Sequence, residues 1–227
     1  EMQRSLVGSE MCIRDRSKTM NAHLHVLEAY TLLYQCWKDD GLRKRLKFCA
    51  ELFMDRIYDS SRRHFNLFFD NAWNSLVEMD SYGHDVEAGW LLCEAARVLE
   101  DRQLMDRANR LALDVTDACL VEGLSDKGYM MYEKKGGRTT GHASWWGQIE
   151  TMIACVNAWQ ISGNDVYLQS ADTVWTFVKD CMIDREYGEW YSDCFDGEPK
   201  KDTPKVSMWR CPYHTVRLGV EIHNRLK

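Results

Sequence analysis

The sequence predicts an all-α protein built from helical hairpins, on three observations. From Thr19 onward the apolar residues step at threes and fours, the period of a helix with one buried face. Only three prolines occur in 227 residues, and none falls inside a periodic stretch, so little interrupts the helices. Polar groups capable of chemistry recur at nearly constant spacing: His25, His84, Trp146 and His214 are separated by 59, 62 and 68 residues, each at or just before the start of a periodic stretch. That self-similarity is the mark of a structural repeat that brings one reactive group per unit to a shared mouth. It points to an enzyme.

Residues 1–18 stand apart from the rest. The run from Ser5 to Arg16 has no helical or strand period and resembles translated adapter sequence, so these residues are set aside as a non-native or irregular segment and the fold is assigned to 19–227. The first helix follows from Leu24, Leu27, Tyr30, Leu33 and Trp37, and a second, antiparallel to it, from Leu46, Cys49, Leu52, Phe53 and Ile57. Arg43, Lys44, Arg45 and Lys47 alternate with Leu42, Leu46 and Phe48 and read as the solvated face of that second helix. Further helices are predicted over about 84–100, 102–121, 143–162 and 164–183, and from about 213 to the end. The aromatic, turn-rich runs His64–Asp70, Gly128–Glu133 and Glu186–Tyr191 read as short hairpins at the mouth. Trp37, Trp159 and Trp175 fall mid-helix on apolar stripes and are assigned to the core.

Helical hairpins repeating every ~60 residues imply an α/α toroid, with inner helices carrying the chemistry and outer helices covering them. The chain supplies three hairpins and one further helix, about half of a six-hairpin ring. It is therefore expected to be the C-terminal part of a longer protein, with apolar edges where the other hairpins would pack.

Composition narrows the function classes. A net charge of −6, a pI near 5.7 and the absence of a dense Lys/Arg block argue against a nucleic-acid surface. No 18-residue apolar span or secretory leader is visible, which argues against a membrane partner. Six of the nine cysteines, Cys36, Cys49, Cys93, Cys119, Cys155 and Cys181, fall in predicted helices without a CxxC pair. They read as small buried hydrophobes of a reducing, cytoplasmic compartment.

The motifs have a chemical logic of their own. In Asn21-x-x-x-His25 both side chains share one helix face, whereas His23 points elsewhere, so His23 and His25 make a poor metal clamp. His84 and Glu87 also share a face, where a carboxylate can orient the imidazole or accept from a bound hydroxyl beside it. Trp90, Trp146 and Trp209 lie near these groups in sequence, and indole faces suit the apolar faces of sugar rings. There is no Cys/His ligand cluster, GxGxxG or P-loop, so neither a metal nor a cofactor is expected. His64, His142 and His223 lie outside the repeated positions and are expected to tolerate replacement.

Asn21–Tyr30 (NAHLHVLEAY), Ser81–Ala88 (SYGHDVEA), Trp145–Glu150 (WWGQIE) and Trp209–His214 (WRCPYH) together resemble the N-acylglucosamine 2-epimerase superfamily, and within it the cellobiose-converting branch most. The resemblance runs from about Thr19 to the C-terminus and implies an (α/α)6 barrel whose first half carries an arginine that stabilises the intermediate. It further implies C2 inversion of the reducing-end glucose of a β-1,4-linked disaccharide, through an enediolate. His84 and His214 would be the acid/base pair, His25 would assist at the ring or carbonyl oxygen, and Glu87 and Glu150 would position histidine or hydroxyls. Asn21, Trp90, Trp146, Glu150 and Trp209 would contact the sugar. The alternatives are N-acylglucosamine epimerisation or aldose–ketose isomerisation of a monosaccharide, an α/α-toroid glycoside hydrolase using Glu87 and Glu150 across the scissile bond, and an inactive sugar-binding fragment. Three histidines at the mouth are surplus to hydrolysis.

Overall fold

The computed structural model describes residues 18–227, and the expectation for residues 1–18 lies almost wholly outside them. Among the described residues seven helices account for the architecture. Four are inner: α1 (Met20–Cys36), α3 (Tyr82–Leu99), α5 (Trp145–Ser162) and α7 (Tyr213–Arg225). Each inner helix packs against the next, and α2 (Asp40–Leu52), α4 (Arg102–Gly123) and α6 (Val166–Phe177) cover them from outside. Burial follows this division. Helices α3 and α5 are buried nearly all round, whereas α2 and α4 bury only one stripe, Leu42, Leu46 and Ala50 in the first case.

Side-chain caps fix three starts: Thr19 accepts from Ala22 N on α1, Asp39 from Leu42 N on α2 and Asp101 from Leu104 N on α4. The basic face of α2 is solvated as expected, with Lys47 reaching the Asp101 cap at 2.6 Å. Both α2 and α6 end in a wider i→i+5 turn, Phe53–Ile57 and Val178–Met182, which keeps Phe53, Ile57, Val178 and Met182 in the core.

The stripe read for α1 is rotated from the one observed. Met20, Leu24, Leu27, Thr31 and Tyr34 are buried, while Leu33 is exposed and Trp37, beyond the last helical residue, is 58% exposed. Thr31 fits because its hydroxyl donates to Leu27 O at 2.7 Å, which satisfies it inside the helix. Trp175 is also partly exposed, at 36%. Cys36 is exposed and Cys49 and Cys181 are half-buried, so only Cys93, Cys119 and Cys155 of the six helical thiols are buried.

Short antiparallel strands form the rim. β1 (Lys18–Thr19) pairs with β4 (Phe68–Phe69), and β2 (Tyr58–Asp59) with β3 (His64–Phe65). β5 (Met79–Asp80), β6 (Glu133–Lys135) and β7 (Arg138–Thr140) make one three-stranded sheet. β8 (His142–Ser144), β9 (Asp193–Phe195) and β10 (Glu198–Pro199) make another. The last two sheets extend beyond the hairpins read from sequence. Their polar strands, such as Arg138–Thr140, lack the apolar alternation that would have marked them. They lash the loop before α3 to that before α5, and the loop before α5 to that before α7.

His64 departs from its expectation. It is 1% exposed, and its Nδ1 lies 2.8 Å from Asp85 Oδ2. Removing it would leave a fully buried carboxylate without its imidazole partner, so His64→Ala is expected to cost about 3–5 kcal/mol in urea unfolding. A loss below about 1 kcal/mol would show that Asp85 is satisfied by the Phe65 amide alone.

Candidate active site

The N-terminal turns of α3 and α5 meet because Gly83 and Gly147 let the backbones approach, and the first turn of α7 brings His214 to the same place. A Cβ on Gly83 would lie 2.6 Å from the Trp146 ring and 3.2 Å from Gly147 Cα. Trp146 thereby settles against both imidazoles, with ring centroids 4.6 Å from His84 and 5.9 Å from His214. The two histidines are presented from the first turns of α3 and α7, where helix N-terminal dipoles favour negative charge on a neighbouring group.

Their environments drive the two imidazoles apart. Burial, reinforced by the neighbouring His25 and His214, pushes His84 down to about 4, and Ser81 Oγ holds its Nδ1 at 2.8 Å. Burial also pulls on His214, but its 2.6 Å bond from Nδ1 to Glu150 Oε1 and the charges of Glu150, Glu87 and Glu28 outweigh it and raise the imidazole above its ordinary value. At neutral pH His84 is neutral, and His214 is biased toward its cation relative to a free imidazole. That pairing suits one group to accept a proton while the other supplies one.

One turn deeper the site rests on an ionic floor. Arg217 Nη1 donates to Glu87 Oε1 at 2.7 Å and Glu150 Oε1 at 3.0 Å, and its Nη2 donates to Glu28 Oε1. Trp90 Nε1 donates to Glu150 Oε2 at 2.9 Å. Burial, followed by the Glu150 carboxylate, pushes Glu87 up to about 7 against the pull of Arg217. Glu87, Glu150 and His214 offer atoms close enough for a cation, but the guanidinium already bridges both carboxylates. For the same reason Glu87 and Glu150, at 2% and 0% exposure, do not flank open space as a hydrolase pair would.

The other residues singled out from sequence are distributed as follows. His25 is exposed on α1 and is raised by its contact with Glu28, against burial. Asn21 is exposed at the start of α1, lining a cavity of about 290 Å³ with Thr19, Ser81, His84, Tyr132 and Glu133. Glu87 bonds Arg217 instead of orienting His84, a task that falls to Ser81. Trp90 is 3% exposed, with the Arg217 and Arg225 guanidiniums over its ring at 5.3 and 5.7 Å, so it supports Glu150 from beneath. Trp209 is 69% exposed on the loop before α7, and Trp145 is the indole edge-on to His214, at 6.3 Å. Sequence reasoning missed Arg217, Glu28, Tyr213 and Ser81. The signal for two of them was present: Glu28 and Arg217 lie three residues after His25 and His214, the spacing that singled out Glu87.

Residues 5–217 match the family model for N-acylglucosamine 2-epimerase. Cellobiose 2-epimerase of Bacteroides fragilis is 42% identical over 210 residues, covering 90% of this chain and 53% of that protein. A sugar epimerase from a ruminal bacterium superposes with a TM-score of 0.89 at 37% identity, over 92% of this chain and 54% of that one. Cellobiose 2-epimerase from Bacillus thermoamylovorans B4167 gives 0.85 at 36% identity, over 91% and 53%. The chain thus spans about half the length of the curated relatives it matches and has the fold of part of their α/α toroid. No helix among the described residues is long and apolar enough to cross a membrane.

Proposed function

The chain belongs to the N-acylglucosamine 2-epimerase family, and on that premise we propose that the protein containing it inverts C2 of the reducing-end glucose of cellobiose or a related β-1,4-linked disaccharide. The observation that carries this reading is the pair His84 and His214, set against one indole and held in opposite protonation preferences. After ring opening, the C2 proton is acidified by the C1 carbonyl, so an imidazole can remove it and a second can protonate the enediolate on the other face. For His84 to act through Nε2, its Nδ1 proton must be donated to Ser81 Oγ; for His214, Nδ1–H is donated to Glu150. The choice of disaccharide rests on the relatives, whose printed names are cellobiose 2-epimerases.

The same reading makes the rest of the barrel a partner. Val26, Leu32 and Leu33 of α1 and Val216 and Val220 of α7 are exposed. An apolar cavity of about 630 Å³ also lies between α6 and α7, lined by Leu168, Trp175, Leu218, Ile222 and Leu226. Such surfaces suit packing against further hairpins. The 227-residue chain alone is accordingly expected to convert little sugar.

The test uses the longer protein and this chain side by side, with cellobiose and N-acetylglucosamine in D2O. Formation of the mannose-ended disaccharide with deuterium at C2, by the longer protein only, is the expected result. Conversion of N-acetylglucosamine alone would overturn the substrate, glucose release would favour hydrolysis, and full activity of this chain would overturn the need for a partner half.

A further inference from the structure

On the reading above, we propose that Glu28 is a positioning residue that couples the α1 histidine to the α7 half of the site. Its carboxylate sits where three donors from two helices meet. His25 Nδ1 lies 3.6 Å from Oε2 on the same helix, Tyr213 Oη donates to Oε1 at 2.5 Å and also bonds Oε2, and Arg217 Nη2 donates to Oε1. Tyr213 and Arg217 lie 185 and 189 residues after Glu28 in the sequence.

The arrangement has two consequences. Tyr213 and Arg217 flank His214 on α7, and the Tyr213 ring packs edge-on to the His214 imidazole at 4.7 Å and under the Arg217 guanidinium at 4.2 Å. Fixing Tyr213 and Arg217 therefore fixes the plane of the His214 ring. On the other side, a half-buried carboxylate beside His25 favours the imidazolium form. The charged and titratable groups facing this pair are Arg217, Tyr213 and His214 from α7 and Glu87 and His84 from α3, with Glu150 from α5 joined to it through Arg217. Arg217 opposes a cation on His25, whereas Glu87 and Glu28 favour it. Glu28 is the carboxylate in direct contact, so its removal should shift the balance most. A cationic His25 can donate a proton to the ring oxygen as the sugar opens, the step that precedes any chemistry at C2.

The experiment compares Glu28→Gln and Glu28→Asp with the parent by NMR titration of the histidine side chains in the 227-residue chain, and by kcat and KM against pH in the longer protein. Glu28→Gln is expected to lower the midpoint of His25 and to move the high-pH limb of kcat downward in step with it, with KM within about twofold; Glu28→Asp should restore most of the midpoint. A His25 midpoint and pH profile unchanged in Glu28→Gln, with only reduced thermal stability, would overturn the proposal in favour of a purely structural strut. If Glu28→Gln does not fold, Glu28→Asp carries the test: a small downward shift of the His25 midpoint matched by the high-pH limb of kcat supports positioning, and a shift in either without the other refutes it. Failure of the longer protein to epimerise any sugar would undo the proposed function, yet the His25 titration would still report whether Glu28 governs that imidazole.

Discussion

Replacing His84 or His214 by Asn is expected to lower the epimerisation turnover of the longer protein by about 100-fold or more with the fold intact, the size of effect that a positioned general acid or base supplies. Both side chains sit in first helical turns with part of their surface open; no carboxylate depends on His84, and in His214→Asn the buried Glu150 carboxylate keeps Arg217 and the Trp90 indole as donors. The pH dependence should be bell-shaped and should separate the two. His84, pushed down to about 4, must be neutral to accept a proton, so activity falls as the pH drops toward that value. His214, held above its ordinary value by Glu150, must be cationic to donate, so activity falls as the pH rises through its own midpoint. His84→Asn should remove the acid limb from the residual activity, and His214→Asn its own share of the alkaline one, leaving the share set by His25. His223, exposed on α7 without a place in the site, is the control and should tolerate Asn within about twofold. Turnover within a few-fold of the parent in either test variant would refute the assignment.

How much of this could be read from the sequence divides along physical lines. Helix existence was legible because burial on one face leaves a period in the apolar residues, and all seven helices lie close to their predicted spans. The rim sheets were not, since strands of two or three polar residues carry almost no period. Among site residues, those set by helical spacing within one element were visible, as with His84 and Glu87. Contacts between elements were not. Ser81 bonds His84 only because the helix N-terminal turn folds its hydroxyl back, and Glu87 is drawn away from His84 by an arginine 130 residues later. His64 was misjudged on the same ground, because its partner Asp85 lies 21 residues away, across a loop, and no local pattern marks that pairing.

Loss of Arg217 should destabilise the chain as severely as loss of His64, and at the site itself. Replacing it by Leu would leave Glu28, Glu87 and Glu150 without the cation that they share, at side-chain exposures of 14%, 2% and 0%. Stripping one partner from a buried ionic cluster costs about 3–5 kcal/mol. The sign of the pH dependence follows from Glu87. Its folded-state value, pushed up by burial and by the Glu150 carboxylate, is about 7 against an ordinary 4.5. The folded chain therefore binds more protons than the unfolded chain in that window, and stability declines as the pH rises through it. Without Arg217 the attraction that holds Glu87 down disappears and its carboxyl is driven further up, so the decline should steepen and extend to higher pH. Urea unfolding of the parent and Arg217→Leu at pH 5 and pH 8 is the measurement: the deficit should be larger at pH 8 and partly recovered at pH 5, where Glu87 can hold its proton. Glu87→Gln in the Arg217→Leu background should recover part of the loss at pH 8 by removing one of the charges. An equal deficit at both pH values would mean that Arg217 contributes through the packing of its side chain against Trp90 and Tyr213, and not through the charges it neutralises.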